Sequence, residues 1–234
     1  MSDGAALSVL DWWAEAGVDT MIDEIPRDWL AAPAAAESAA PSPAAVAPAP
    51  PPVAALPTDL AGFRRWLLSD AGVPGPPARR LDAAGDPASA TMLVIDMPEA
   101  DDLAAGALLS GEAGALFDRM LVAIGLDRAA IYLAPFAPAR PATGRIGDAD
   151  CAALARLMRH HLALVRPQRL LLLGDGPARA LTGLPLAQAR GAVRQVESAA
   201  GTIPAIASFH PRFVLGRPDY RRPAWADLQL FMAL

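Results

Sequence analysis

From Ala31 to Pro57 the chain is almost only Ala, Pro, Ser and Val, with Pro48, Pro50, Pro51 and Pro52 close together. Proline has a fixed φ and no amide hydrogen, so such a tract sustains neither a helix nor a strand ladder and reads as an extended linker. It confines a packed core to residues 58–234 and leaves residues 1–30 as a separate segment. That segment predicts a short amphipathic helix over residues 5–16, with Leu7, Leu10 and Trp13 on one face and Gly17 as its stop. It is a candidate either for docking on the main domain or for recruiting a protein partner.

Charge is distributed as unevenly as composition. Residues 1–30 hold seven acids against Arg27, and Glu37 follows in the linker. Taking those eight acids and one base from the totals of 25 and 20 leaves 17 acids and 19 bases from residue 58 onward, a net of +2. The overall net charge of -5 therefore does not exclude a nucleic-acid partner for the main domain. Every base is Arg, which suits bidentate grip on phosphate and is equally what GC-rich coding produces. The acidic segment has no basic cluster followed by an apolar stretch, so no export address is read and the bacterial cytosol is expected. No apolar run is long enough to span a bilayer. Cys151 is the single cysteine; it is read as a small helix residue, because a disulfide, a zinc ion or an iron–sulfur cluster needs more ligands than one.

After the linker, Thr58 is expected to cap a helix carrying Leu60, Phe63 and Leu67. Strands and helices then alternate. Strands are predicted at 91–95, 130–133, 170–173, 192–197 and 203–208, and helices at 115–124, 148–165, 177–181 and 224–234. The apolar run Leu170 to Leu173 suits a central parallel strand. Alternation of this kind predicts an α/β fold of three αβα layers with a mainly parallel central sheet. Ligands in such sheets meet the loops at the carboxyl ends of the strands, here 96–102, 134–147, 174–176 and 209–222. His160 and His161, neighbours on a predicted helix, are read as surface residues.

An ordered series of segments resembles the family 4 uracil-DNA glycosylases and their alphaproteobacterial relatives: Gly85 to Val94, Gly111 to Asp127, Ile131 to Leu133, Leu164 to Pro167, Leu172 to Gly174 with Ala180 to Gly183, Ser208 to Leu215, and Ala224 to Leu228. Leu10 to Asp19 resembles the leader of the same proteins. The resemblance implies a uracil-DNA-glycosylase-like fold and base-excision repair, in which a base is flipped from single- or double-stranded DNA and its N-glycosidic bond hydrolysed.

Residue by residue, the family's Gly-Glu-Ala-Pro-Gly loop falls on Ile95 to Glu99. Asp96 is the implied catalytic acid, or a loop acid capping the turn with Asp101 or Asp102, and Pro98 is retained. Two glycines are replaced, by Ile95 and Glu99, and with them the freedom to adopt positive φ. The base-reading Asn falls on Pro135 and the stacking aromatic on Leu109, so the uracil code is absent at both. Phe136 is the neighbouring candidate for a stacking face, or a buried loop aromatic. The late His-Pro loop persists. The resemblance assigns His210 to supporting the departing base, Val214 or Leu215 to filling the space it leaves, and Arg217, Arg221 and Arg222 to phosphates, with Pro211, Arg212 and Phe213 in the same DNA-facing stretch. Ala139 and Leu154 stand at two of the family's four cluster cysteines, and no Cys-x-x-Cys lies upstream, so no cofactor is expected. Two alternatives to catalysis are a non-catalytic DNA-binding paralogue and an adaptor acting through residues 1–30.

Overall fold

The computed structural model describes residues 56–234. The expectations for residues 1–30 and for most of the linker, the partner-recruiting helix among them, lie outside the described residues. Helix α1 (Leu60–Ser69) is capped by Asp59 and not by Thr58: the Asp59 carboxylate accepts the Gly62 amide at 2.7 Å. This satisfies one of the amides that a helix N-terminus leaves without an internal partner. Phe63, fully buried, fastens the helix onto Val73 and Leu157.

The sheet has six strands, β1 (Ala84–Gly85), β2 (Thr91–Ile95), β3 (Tyr132–Pro135), β4 (Arg169–Leu173), β5 (Arg194–Ser198) and β6 (Gly201–Ser208), in the order β1-β3-β2-β4-β6-β5. The four inner strands are parallel, and β1 and β5 are antiparallel edges. Alternation along the strands divides the core. Met92, Val94, Tyr132, Leu170 and Leu172 face helix α4 (Asp148–Val165) through Leu154, Met158 and Leu162. Leu93, Ile95, Leu133, Leu171 and Leu173 face helices α3 (Gly111–Ala123) and α8 (Arg221–Met232) through Phe117, Leu121, Leu228 and Phe231. Each such fully buried side chain contributes roughly 1.5–3 kcal/mol relative to exposure, so both layers are held from the centre of the sheet outward.

The second strand runs 132–135, not 130–133. The Ala130 amide turns back onto Asp127, and pairing with β2 then places Tyr132 opposite Met92. His161 is no surface residue: it is 2 % exposed with Nε2 2.9 Å from the Tyr132 hydroxyl, and burial lowers its pKa to about 4. His160 is half-buried, with Nε2 2.8 Å from the Pro57 carbonyl. The short helices α2 (Asp102–Ala105), α5 (Asp175–Thr182), α6 (Leu186–Ala189) and α7 (Pro211–Leu215) all lie in or beside the loops where ligands were expected. Register makes those loops neighbours. Ile95 pairs with Pro135 and Leu173, and Leu173 with Ser208, so the inner strands end level with one another.

Candidate active site

The loop leaving β2 keeps its shape without the two glycines. Leu109 and Arg166 are the only non-glycine residues with positive φ among those described, so Ile95 and Glu99 sit in ordinary backbone conformations. Asp102, fully buried, organises the turn: its carboxylate accepts the amides of Glu99, Leu109 and Ser110 at 2.7–2.9 Å and the Ser110 hydroxyl. Burial pushes that carboxyl up, but the hydrogen bonds outweigh it and hold the pKa below the ordinary value.

Asp96 has a different task. Its Oδ1 accepts the Gly176 amide at 2.8 Å, across from the loop that follows β4. A Cβ on Gly174 would stand 2.0 Å from Asp96 Oδ2, and one on Gly176 2.8 Å from Oδ1. Gly174 also has φ +117°, which L side chains rarely adopt. The two glycines therefore make the seat in which the carboxylate rests. Burial raises the Asp96 pKa to about 7, against the Gly176 hydrogen bond and the Arg212 charge. Such a carboxyl exchanges protons near neutral pH, which suits a general base or a charge that stabilises a cation.

His210 follows β6 as the N-cap of α7, and Nδ1 accepts the Arg212 amide at 3.2 Å. The ring is 3 % exposed, and burial, reinforced by the Arg212 charge, lowers its pKa to about 3. It is therefore neutral, and the bond at Nδ1 assigns the proton to Nε2. That Nε2 is buried without a hydrogen-bond partner among the described residues. A buried donor without an acceptor carries a desolvation cost of about 1–3 kcal/mol, which an oxygen or nitrogen atom of a ligand would relieve. Glu99 stands close by, 3.5 Å from Nδ1, but its carboxylate is taken by Arg212 Nη1 at 2.8 and 3.0 Å.

Two adjoining clefts, of 360 and 460 Å³, share Asp96, Asp175 and Arg212. The first is also lined by Gly174, Leu186, Phe209, His210, Phe213 and Arg217, and the second by Met97, Arg145, Cys151 and Arg179. The structure thus brings Asp96, His210, Arg212, Phe213 and Arg217 together. None of the expected base-pocket residues lines either cleft, although Phe136 reaches the seat of Asp96, its Cδ1 lying 3.6 Å from where a Cβ on Gly176 would stand. Leu109 is buried in the core against the α3 side of the sheet, Pro135 is buried in β3, Phe136 belongs to the core on the α4 side, and Pro98 lines a separate 170 Å³ cleft with Glu99 and Arg140. Val214, expected to fill the space of a flipped base, is 2 % exposed and faces an apolar groove with Met120 and Trp225, which Arg221 also lines. Pro211 is buried, Leu215 half-buried and Arg222 exposed.

Sequence reasoning marked the 174–176 loop without its function as a seat for Asp96. Two glycines around an acid at the end of an apolar strand were the available signal. Phe209 and Asp175 were also missed; their place in the cleft arises only when β4 and β6 lie side by side.

The residues present do not fit an iron–sulfur cluster. Ala139 and Leu154 are buried apolar side chains, and among the described residues no three His, Cys, Asp or Glu side chains are grouped to hold a metal. The backbone beside Ala139 is bridged to Arg80, and Ala139 Cβ closes on Gly75 so tightly that a Cβ there would be 2.8 Å away.

The family model described as the Uracil DNA glycosylase superfamily matches residues 83–229. Type-4 uracil-DNA glycosylase of Archaeoglobus fulgidus is 26 % identical over 152 residues, covering 62 % of this chain and 76 % of that protein. Type-4 uracil-DNA glycosylase of Pyrobaculum aerophilum is 26 % identical over 147 residues, covering 60 % and 75 % respectively. The matched region contains every strand of the sheet together with Asp96 and His210, and the chain belongs to the uracil DNA glycosylase superfamily.

Proposed function

We propose that the chain acts in base-excision repair in the bacterial cytosol, hydrolysing the N-glycosidic bond of a deaminated or damaged base flipped out of DNA. One observation carries this reading: His210, whose Nε2 is buried and unpartnered among the described residues, lines a cleft together with Asp96. Bond cleavage leaves positive charge on the sugar and negative charge on the base. Asp96, when ionised, is suited to stabilise the sugar cation or to position the attacking water. The neutral imidazole of His210 is suited to donate from Nε2 to an oxygen or nitrogen of the departing base, as a donor already in place. Arg212 and Arg217 supply positive charge at the cleft for the DNA backbone.

A second reading, binding without cleavage, is favoured by Leu109 and Pro135, which offer no aromatic ring and no side-chain amide at the two places the resemblance assigns to stacking and reading uracil. The same absence makes a base other than uracil the alternative target. Single-turnover cleavage of oligonucleotides containing uracil, hypoxanthine or xanthine, in single and double strands, separates the readings. Cleavage that falls at least a hundredfold in Asp96→Asn and in His210→Ala supports the glycosylase. No cleavage at stoichiometric protein, with DNA still bound, rejects it in favour of binding alone.

A further inference from the structure

A column of two stacked rings between two cations stands beside the cleft. Arg190 lies over the Phe209 ring at 3.8 Å, Phe209 and Phe213 are stacked at 5.3 Å with 12° between their planes, and Arg217 lies over Phe213 at 4.3 Å. Tyr220 closes the side, edge-on to both phenylalanines at 4.8 Å. The inner end is fixed. Arg190 donates to Asp227 at 2.7 Å and to the Pro223 carbonyl at 2.9 Å, and Asp227, 1 % exposed, also accepts the Ser208 hydroxyl. The outer end is open: Arg217 is exposed, and among the described residues its guanidinium has no hydrogen bond or ion pair. Exposed Arg221 and Arg222 follow it in the chain, with Asp219 as the one acid between.

The arrangement has the parts of a nucleotide platform. A guanidinium seated over a ring, as Arg217 is at 4.3 Å, has its far side available to a base and its N–H groups to a phosphate. Anchoring through Arg190 and Asp227 means that little ordering is required when a ligand arrives. Phe209, Phe213 and Arg217 also line the cleft with Asp96 and His210, so a nucleotide on the column would be a close neighbour of one in the cleft. Bases within a duplex keep their faces on each other, whereas unpaired bases have faces free for an aromatic or guanidinium plane.

We infer that the Arg190–Phe209–Phe213–Arg217 column binds an unpaired nucleotide of single-stranded DNA flanking the one held in the cleft, giving the protein a preference for single strands over duplex. The inference rests on the reading of the cleft as a nucleic-acid site and adds the strand state of its substrate.

The test is fluorescence anisotropy of the full chain with a labelled oligothymidine and with a duplex of equal length, neither containing an excisable base. Single strands are expected to bind about tenfold tighter than duplex. Arg217→Ala should remove most of that advantage, Phe213→Leu should do the same while keeping apolar volume, and Arg217→Lys should fail to restore it, because a point charge replaces phosphate attraction but not the stacking plane. Equal affinities for the two probes, an unchanged preference in either variant, or full rescue by lysine would overturn the column. A parent chain that cleaves but shows no preference overturns the column alone, and a parent chain that shows the preference but does not cleave overturns the glycosylase alone.

Discussion

Glu99 and Arg212 are joined at two points, with Arg212 Nη1 3.0 and 2.8 Å from the carboxylate oxygens, and the pair ties the loop after β2 to the helix that His210 caps. Glu99 falls where the resemblance places the second glycine of the family's loop, and an acid there gives Arg212 a partner that glycine could not. Arg212 is 40 % exposed and Glu99 12 %. An exposed pair contributes up to about 1 kcal/mol. Losing the arginine costs more, because the carboxylate would stay mostly buried without its cation. Under the proposed function, DNA phosphate would compete with Glu99 for the same guanidinium. Glu99→Gln should therefore tighten oligonucleotide binding several-fold, and Arg212→Ala should weaken it and lower the melting temperature. Unchanged affinity in Glu99→Gln would show that the carboxylate does not restrain Arg212.

Gly174→Ala should disable the site more than its single methyl suggests. The new Cβ would press on the Asp96 carboxylate at 2.0 Å and would hold a φ of +117° that alanine resists. Cleavage should fall by at least tenfold and the melting temperature by several degrees. Kinetics at parental levels would mean that Asp96 does not need its seat.

Asp96 also predicts a pH dependence with a definite sign. Its folded pKa of about 7 lies above the ordinary 3.8, so between those values the folded state keeps a proton that the unfolded state has lost. Stability from this group is full below about pH 4, declines as pH rises toward 7, and is level above that. His210 works the other way, since a pKa lowered from 6.5 to about 3 costs stability as pH falls through that window. The comparison is therefore parent against Asp96→Asn in urea unfolding at pH 5 and pH 8, and the variant should gain relative to the parent at the higher pH. Cleavage that needs the ionised carboxylate should rise with pH and level off above about 7. An activity flat from pH 5 to 8 would count against a proton on Asp96 in that range.

Leu109 carries a cost that its surroundings hold in place. Its φ is +52°, its amide is bound by Asp102, its carbonyl accepts Arg128 Nη2 at 2.7 Å, and a Cβ on Gly114 would strike that carbonyl at 1.7 Å. A phenylalanine there enters a filled core. Leu109→Phe is expected to destabilise by about 1–3 kcal/mol in chemical denaturation and to leave uracil recognition unimproved. A gain in uracil excision would show that the ring reaches the cleft.

Arg80 organises the segment between α1 and β1, donating five hydrogen bonds to the carbonyls of Leu67, Asp70, Val73 and Gly75. Arg80→Ala leaves those acceptors short and should cost about 2–4 kcal/mol, read as a lower unfolding midpoint. Arg80→Lys should recover only part, because an ammonium cannot span the fork. The purified protein should be colourless, with iron far below the ~4 per chain of a complete cluster.

Parts of the molecule were legible in the residues because their physics is local. Thr91 to Ile95 and Leu170 to Leu173 announce buried parallel strands through continuous apolar character, and Asp148 to Val165 announces a helix through its period. His210 was nominated by the resemblance, whose late His-Pro loop it retains, and the buried strand before it places that loop at the sheet's carboxyl edge. Errors arose where distant chain segments compete. His161 reads as a surface residue until Tyr132 and Phe63 close over it. Val214 reads as a DNA wedge until its helix turns it into the groove beside Met120.

The sequence alone determined the strand and helix alternation and the family, since both follow from residue type, spacing or order along the chain, and the resemblance to that family nominated Asp96 and His210. Tertiary structure alone decided that Asp96 rests on Gly174 and Gly176, that Glu99 holds Arg212, that Leu109 and Pro135 are buried away from the clefts, and that Phe209 and Phe213 stack between two arginines. Those relationships join residues far apart in sequence through the level ends of parallel strands, and a burial-raised pKa or an unpartnered imidazole nitrogen exists only after other segments have displaced the water around it.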